Sequence, residues 1–179
     1  MYLVEFCQLL EEAISYGDLK KRVTGFAIDS REIKPGDLFF ALPGAKVDGH
    51  QFVVDSLKKG AVGAVVKKVP ENLATLDRSG FSLIVVKDVL KAMQDLALAL
   101  RQKANIPVIG ITGSSGKTTT KDLVAAVLST KYKTLKTKGN FNNEIGLPLT
   151  LLELIRPYQV AVLEMGMRGL GQIEKLCSI

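Results

Sequence analysis

Gly113-Ser114-Ser115-Gly116-Lys117-Thr118-Thr119 is a run of small residues and hydroxyls closed around one lysine. Small side chains let backbone N–H groups close on a phosphate chain, and a helix starting at such a loop adds the positive end of its dipole. In that setting Lys117 reaches the β- and γ-phosphates of a nucleotide, the Thr118 hydroxyl meets Mg²⁺, and Gly113, Ser114, Ser115, Gly116 and Thr119 complete the phosphate-binding loop. The strict pattern wants glycine about six positions before the lysine. Ile111 stands there, and Gly113 follows later, which weakens a GTPase or transport-ATPase reading and leaves the chemistry intact. The competing structural reading, a glycine-rich turn with a solvated lysine, does not account for the placement of all these residues between a predicted strand and a predicted helix.

Glu164 ends the apolar run Val160-Ala161-Val162-Leu163, a pattern expected of a buried parallel strand. The carboxyl ends of such strands present catalytic groups, so Glu164 is the second candidate catalytic residue beside Lys117 and the second metal ligand beside Thr118. Mg²⁺ favours a carboxylate together with phosphate oxygens and waters. Asn140, Asn142 and Asn143 fall in the segment Gly139-Asn140-Phe141-Asn142-Asn143-Glu144-Ile145-Gly146-Leu147-Pro148. Asn side chains both close turns and donate to ligand oxygens; the position of the segment, on the same rim as the phosphate loop, favours the ligand role. Asp29-Ser30-Arg31 offers a serine and a guanidinium suited to a diphosphate, although such a triplet also makes a common turn. His50, the sole histidine, has no nucleophile spaced with it and is read as starting a helix, not as a base.

These groups need a frame, and the pattern of apolar residues supplies one. Leu3, Phe6, Cys7, Leu10, Ala13 and Ile14 recur at helical spacing. Strands are expected over 23–28 and 37–42, joined through the turn Pro35-Gly36, and a loop over 43–50 leads to a helix that Gly60 closes. Further strands are expected over 61–66 and 81–86, and Asp88 should cap a helix that ends before Pro107. From there strand 108–112, helix 118–129, strand 133–137, helix 148–154 and strand 160–164 alternate as in a parallel sheet. The fold class is therefore α/β. A small domain over 1–87 precedes a P-loop-type parallel-sheet domain that begins at 88 and is cut short at 179, with about three of the five or six strands usual for such a sheet.

The four segments together resemble the Mur ligases, ATP-dependent enzymes that build the peptide of bacterial cell-wall precursors. Asp29-Ser30-Arg31, Gly36-Asp37-Leu38-Phe39-Phe40-Ala41 and Asp48-Gly49-His50 look like the family's uridine-nucleotide-binding first domain. The phosphate loop through Thr120 matches the family's variant, in which the early glycine is normally missing. The asparagine segment and Glu164-Met165-Gly166-Met167-Arg168-Gly169 are similar to those of the D-alanyl-D-alanine-adding members. The resemblance implies ATP and Mg²⁺ as cofactors, UDP-MurNAc-tripeptide and D-Ala-D-Ala as small-molecule substrates, an acyl phosphate intermediate and a monomer at full length. It implies that Ser30 and Arg31 meet the UDP part, with the loop Ala45-Lys46-Val47 at the uracil, and that Asn142 and Asn143 line the muramoyl-pyrophosphate path. Family members continue into the rest of the sheet and a third, amine-binding domain. The chain alone is accordingly expected to be an inactive fragment.

Composition agrees with a packed protein: 179 residues, 47% hydrophobic and 23% charged. The formal net charge of +6 suits polyanionic ligands. Basic residues are dispersed and lack interleaved aromatics, so no nucleic-acid partner is expected. The densest group, Lys131, Lys133, Lys136 and Lys138, reads as a solvated strand edge. The longest uncharged stretch, 104–116, is shorter than the ~18 apolar residues of a membrane span, and acidic residues break up the N-terminus where a secretory signal would lie. A cytoplasmic location follows, with Cys7 and Cys177 reduced and structural. The alternative function is a non-catalytic P-loop nucleotide-binding module; a GTPase would need an Asn-Lys-x-Asp stretch, which the sequence lacks.

Overall fold

A computed structural model describes residues 1–10, 13–44, 47–70 and 81–179. The chain divides into two compact units, Met1–Asp95 and Leu96–Ile179. The division falls inside the helix Val89–Ala104, whereas the sequence pattern places it at the start of that helix.

In the first unit β1 (Ile14–Tyr16), β2 (Gly25–Ala27), β3 (Asp37–Phe40), β4 (Gly63–Val66) and β5 (Ser82–Val85) form one mixed sheet in the order β1-β5-β4-β3-β2. Only β1 runs antiparallel to its neighbour. All four residues of β3 are buried, as a strand covered on both faces requires. Alternation sends Phe39 and Ala41 to one face, where they join Val53, Ala64, Val66 and Leu83. On the other face Phe40 meets Phe6 edge-on, the ring centroids 6.1 Å apart. Phe6 comes from α1 (Leu3–Cys7), and Val53 opens α2 (Val53–Lys58).

The expected first helix is only half right. α1 ends at Cys7, because Leu3 and Phe6 reach the core while Leu9 is exposed. Ile14-Ser15-Tyr16, which the helical spacing counts as the end of the helix, instead pairs with Val85-Ile84-Leu83 as an edge strand. A β-branched and an aromatic residue beside the free hydrogen-bonding edge of β5 gain more from the ladder than from another turn of helix with no surface to cover.

Asp88 caps α3 (Val89–Ala104) as expected, its Oδ1 accepting from the Lys91 N–H at 3.0 Å. The second unit carries β6 (Val108–Ile111), α4 (Lys117–Ser129), β7 (Thr134–Lys136), α5 (Gly146–Leu152), β8 (Val160–Glu164) and α6 (Gln172–Cys177). Its three strands are parallel, in the order β6-β8-β7. β8 is central and wholly buried, which is what its unbroken apolar run requires. Register pairs Ile111 with Glu164, so β8 delivers its carboxylate level with the last residue of β6, where the phosphate loop begins.

Candidate functional site

The loop between β6 and α4 has the backbone its glycines require. Gly116, immediately before α4, sits at φ +74° with open space where a Cβ would stand, so backbone conformation and not crowding demands glycine there. No side chain caps α4 and its first turn holds no acidic residue. Its N–H groups and dipole are therefore left to an incoming anion. Lys117 folds over the loop, donating from Nζ to the Gly113 carbonyl at 2.7 Å. Ser114, Ser115, Thr118 and Thr119 are exposed.

Glu164 is buried, and its two carboxylate oxygens are separately addressed. Thr118 Oγ1 donates to Oε2 at 2.9 Å, and Asn142 Nδ2 donates to Oε1 at 2.8 Å. The Glu164 N–H donates to Thr137 Oγ1 at 2.9 Å, anchoring the strand end behind the carboxylate. Lys117, Thr118, Glu164 and Asn142, singled out from three separate stretches of sequence, thus meet at the carboxyl edge of one sheet. Asn142 is held by its main chain too, since its carbonyl accepts from the Gly166 N–H at 2.8 Å. Asn143 points its amide oxygen into the start of α5, accepting from the N–H groups of Ile145 and Gly146 at 3.2 and 2.8 Å. That is the turn-closing role, and it leaves only the amide NH₂ of Asn143 for a ligand. Gly146 is obligatory at this turn: a Cβ would lie 2.4 Å from Phe141 Cα.

The donor set suits magnesium. Among the described residues no group of three or more His, Cys, Asp and Glu could enclose a metal ion. One carboxylate and one hydroxyl, 2.9 Å apart beside the expected phosphate-binding loop, are the kind of partial set that Mg²⁺ completes with phosphate oxygens and waters.

Sequence reasoning overlooked Lys121 and Thr137. Lys121, one turn beyond Thr118 on α4, is 2% exposed, with its Nζ 3.9 Å from Glu164 Oε2. The available signal was its helical register with Ala125, the other buried residue of α4, which puts a lysine on an inward face.

In the first unit Ser30 is buried and its carbonyl accepts from Lys59 Nζ at 3.0 Å. The Arg31 guanidinium is exposed and forks onto Asp29, with Nε and Nη2 donating at 2.9 and 2.5 Å. That side-chain pairing, helped by the Arg31 backbone N–H, lowers the Asp29 pKa from 3.8 to about 2. A carboxyl depressed on folding stabilises in full above its ordinary pKa, so this contribution persists above about pH 4 and fades as the pH falls toward 2. Exposure keeps it small, under about 1 kcal/mol. Val47 is exposed, while Ala45 and Lys46 lie outside the described residues.

His50 lies in the short 3₁₀ turn that leads into α2, as expected for the start of a helix. Its Nε2 accepts from the Lys67 N–H at 2.8 Å, which leaves the proton on Nδ1, facing Asp48 Oδ1 at 2.7 Å. A buried imidazole so engaged at both nitrogens ties the preceding loop to the end of β4. β7, with Lys136, lies at one edge of its sheet, and Lys136 Nζ reaches Asp122 Oδ1 at 2.8 Å. Cys7 and Cys177 are free thiols, and burial pushes that of Cys7 above its ordinary pKa.

Comparison with known proteins bears on this arrangement. Residues 22–112 match the profile described as the Mur ligase family, catalytic domain, and residues 111–179 match the Mur ligase middle domain. The UDP-N-acetylmuramoyl-tripeptide–D-alanyl-D-alanine ligase of Synechocystis is 46% identical over 158 residues, covering 88% of this chain and 34% of that protein. Its Bacillus subtilis counterpart is 45% identical over 158 residues, covering 86% of the chain and 33% of the relative. Among solved structures, the UDP-N-acetylmuramoylalanyl-D-glutamyl-2,6-diaminopimelate–D-alanyl-D-alanyl ligase of Acinetobacter baumannii superposes with a TM-score of 0.75 at 36% identity, over 86% of this chain and 33% of that one. The MurF ligase of Thermotoga maritima, solved in complex with ADP, gives 0.72 at 34% identity, over 88% of this chain and 35% of that one. The chain spans about a third of the length of the relatives it matches. No helix among the described residues is long and apolar enough to cross a membrane.

Proposed function

Because this chain belongs to the Mur ligase family, covering its first domain and part of its middle one, we propose that the protein carrying it joins D-Ala-D-Ala to UDP-MurNAc-tripeptide at the expense of ATP. The observation that carries the chemistry is the meeting of Thr118, Glu164 and Asn142 beside the loop that Lys117 closes. The identity of 46% and 45% to UDP-N-acetylmuramoyl-tripeptide–D-alanyl-D-alanine ligases across most of the chain supports the choice of amine.

In this reading residues 1–87 take the UDP part of the substrate, through Ser30, Arg31 and the loop Ala45-Lys46-Val47, and residues 88–179 contribute the phosphate-binding half of the reaction centre. The terminal carboxylate of the tripeptide attacks the γ-phosphorus of ATP, ADP departs, and the acyl phosphate is opened by the amine of D-Ala-D-Ala. Amide, phosphate and a proton result. Two anionic substrates must be brought together against their repulsion. Lys117 donates to phosphate oxygens, and the N–H groups at the start of α4 donate to the rest of the chain of phosphates. Thr118 and Glu164 are the residues that would hold Mg²⁺, which when bound neutralises phosphate charge. Asn142 keeps Glu164 turned toward Thr118, and the Asn143 amide is left to meet the muramoyl-diphosphate. Substrates of this kind, a nucleotide-linked sugar peptide and ATP, place the reaction in the cytoplasm, and the protein is taken to act as a monomer.

Phosphate release from ATP tests the proposal. In the protein carrying this chain, omitting either UDP-MurNAc-tripeptide or D-Ala-D-Ala should lower the rate at least about 100-fold, since an unaligned co-substrate forfeits most of the gain from positioning. A rate indifferent to both would leave a nucleotide-binding module with no ligase activity.

A further inference from the structure

Lys121 is a lysine buried against the carboxylate of Glu164. Its side chain and that of Glu164 are each 3% exposed, with Nζ 3.9 Å from Glu164 Oε2 and 3.6 Å from Asp122 Oδ1. Asp122 is held in turn by Lys136, whose hydrogen bond is the main cause of its lowered pKa. Charges thus alternate inward from the surface as Lys136, Asp122, Lys121 and Glu164. They cancel in sum.

We infer that Lys121 is a built-in counter-cation for Glu164, which keeps the carboxylate turned toward Thr118 and makes this pair a poor site for a bare divalent ion, so that the ion enters only together with nucleotide phosphates. The inference rests on the reading of Thr118 and Glu164 as the magnesium site. A buried carboxylate left without a partner would draw a cation strongly. With an ammonium already within 4 Å, an approaching divalent ion meets a balanced site and a like charge in surroundings that screen poorly. Phosphates supply the negative charge the site lacks, and one carboxylate with one hydroxyl offers too few ligands to compensate. Lys121 acts through Glu164 and is a positioning residue; neither ATP nor the acyl group need touch it.

The test is Mn²⁺ binding to this chain, followed by the electron paramagnetic resonance signal of the free ion, with and without ADP. The unaltered chain and Lys121→Arg should bind Mn²⁺ at Glu164 with ADP and at least about tenfold more weakly without it. Lys121→Met and Lys121→Gln should bind Mn²⁺ without nucleotide at least about tenfold more tightly than the unaltered chain, and adding Glu164→Gln should abolish that gain. A residue needed only for folding would not yield tighter binding when removed. No gain in the neutral variants, with ADP-dependent binding intact in the unaltered chain, would overturn the role of Lys121 alone. Glu164-dependent Mn²⁺ binding to the unaltered chain without ADP, within tenfold of that with ADP, would overturn it however the variants fold. Absence of any Glu164-dependent Mn²⁺ binding even with ADP would overturn the magnesium site itself, and the inference with it.

Discussion

Lys117→Ala should lower kcat at least about 100-fold while leaving the fold in place, the loss expected when one charge-assisted contact to a transferring phosphoryl group is removed. The ammonium donates to the Gly113 carbonyl from a side chain that is only partly buried. Its removal costs the fold no more than about 1 kcal/mol. The helix N-terminus and the glycine backbone survive the substitution, so ADP should still bind, more weakly. Steady-state kinetics alongside thermal melting separates the two effects. A kcat within threefold of the unaltered enzyme, at unchanged melting temperature, would remove Lys117 from the reaction centre.

Glu164→Gln should be equally damaging to turnover, by about 10²–10³-fold, and should also cost stability. The carboxylate accepts from Thr118 on one oxygen and from Asn142 on the other. A glutamine amide offers only one acceptor, so its oxygen keeps the Asn142 donor and its NH₂ faces Thr118, whose hydroxyl rotates to accept; both bonds survive without charge assistance. Lys121 loses its charge partner at the same time. Thr118→Ser, which keeps the hydroxyl that meets Glu164, should retain far more activity than Glu164→Gln, and the contrast distinguishes the chemistry of the pair from general disturbance of α4. Activity of Glu164→Gln close to that of the unaltered enzyme would show that this carboxylate plays no part.

The candidate site is readable in the sequence where chemistry and local structure coincide. The expected phosphate loop announces itself because its glycines, its lysine and the following residues are one contiguous stretch, and Glu164 because it ends a short, β-branched apolar run of the kind that forms a buried strand. What the residues could not disclose depends on contacts remote in sequence. Periodicity carried the first helix to Ile14, while the outcome was decided by the free edge of β5 some seventy residues away. Asn142 and Asn143 are adjacent and identical, yet one reaches Glu164 and the other starts α5. Only the packing of β8 against the loop distinguishes them. Lys121 went unnoticed because charged residues on a helix are ordinarily solvated; its burial follows from the position of α4 against β7 and β8.

The central claim, that ATP activates a carboxylate of the bound sugar peptide, is tested most directly by following oxygen. With ¹⁸O in both oxygens of the terminal carboxylate of UDP-MurNAc-tripeptide, one labelled oxygen should bridge to phosphorus in the acyl phosphate and leave with the phosphate when D-Ala-D-Ala attacks. Mass spectrometry of the released phosphate should then show one ¹⁸O per amide bond formed, and the product amide should keep the other. Phosphate free of ¹⁸O, with ATP consumed and the label retained in the peptide, would mean that water and not the carboxylate takes the phosphoryl group, and the account of this site as a ligase centre would be wrong.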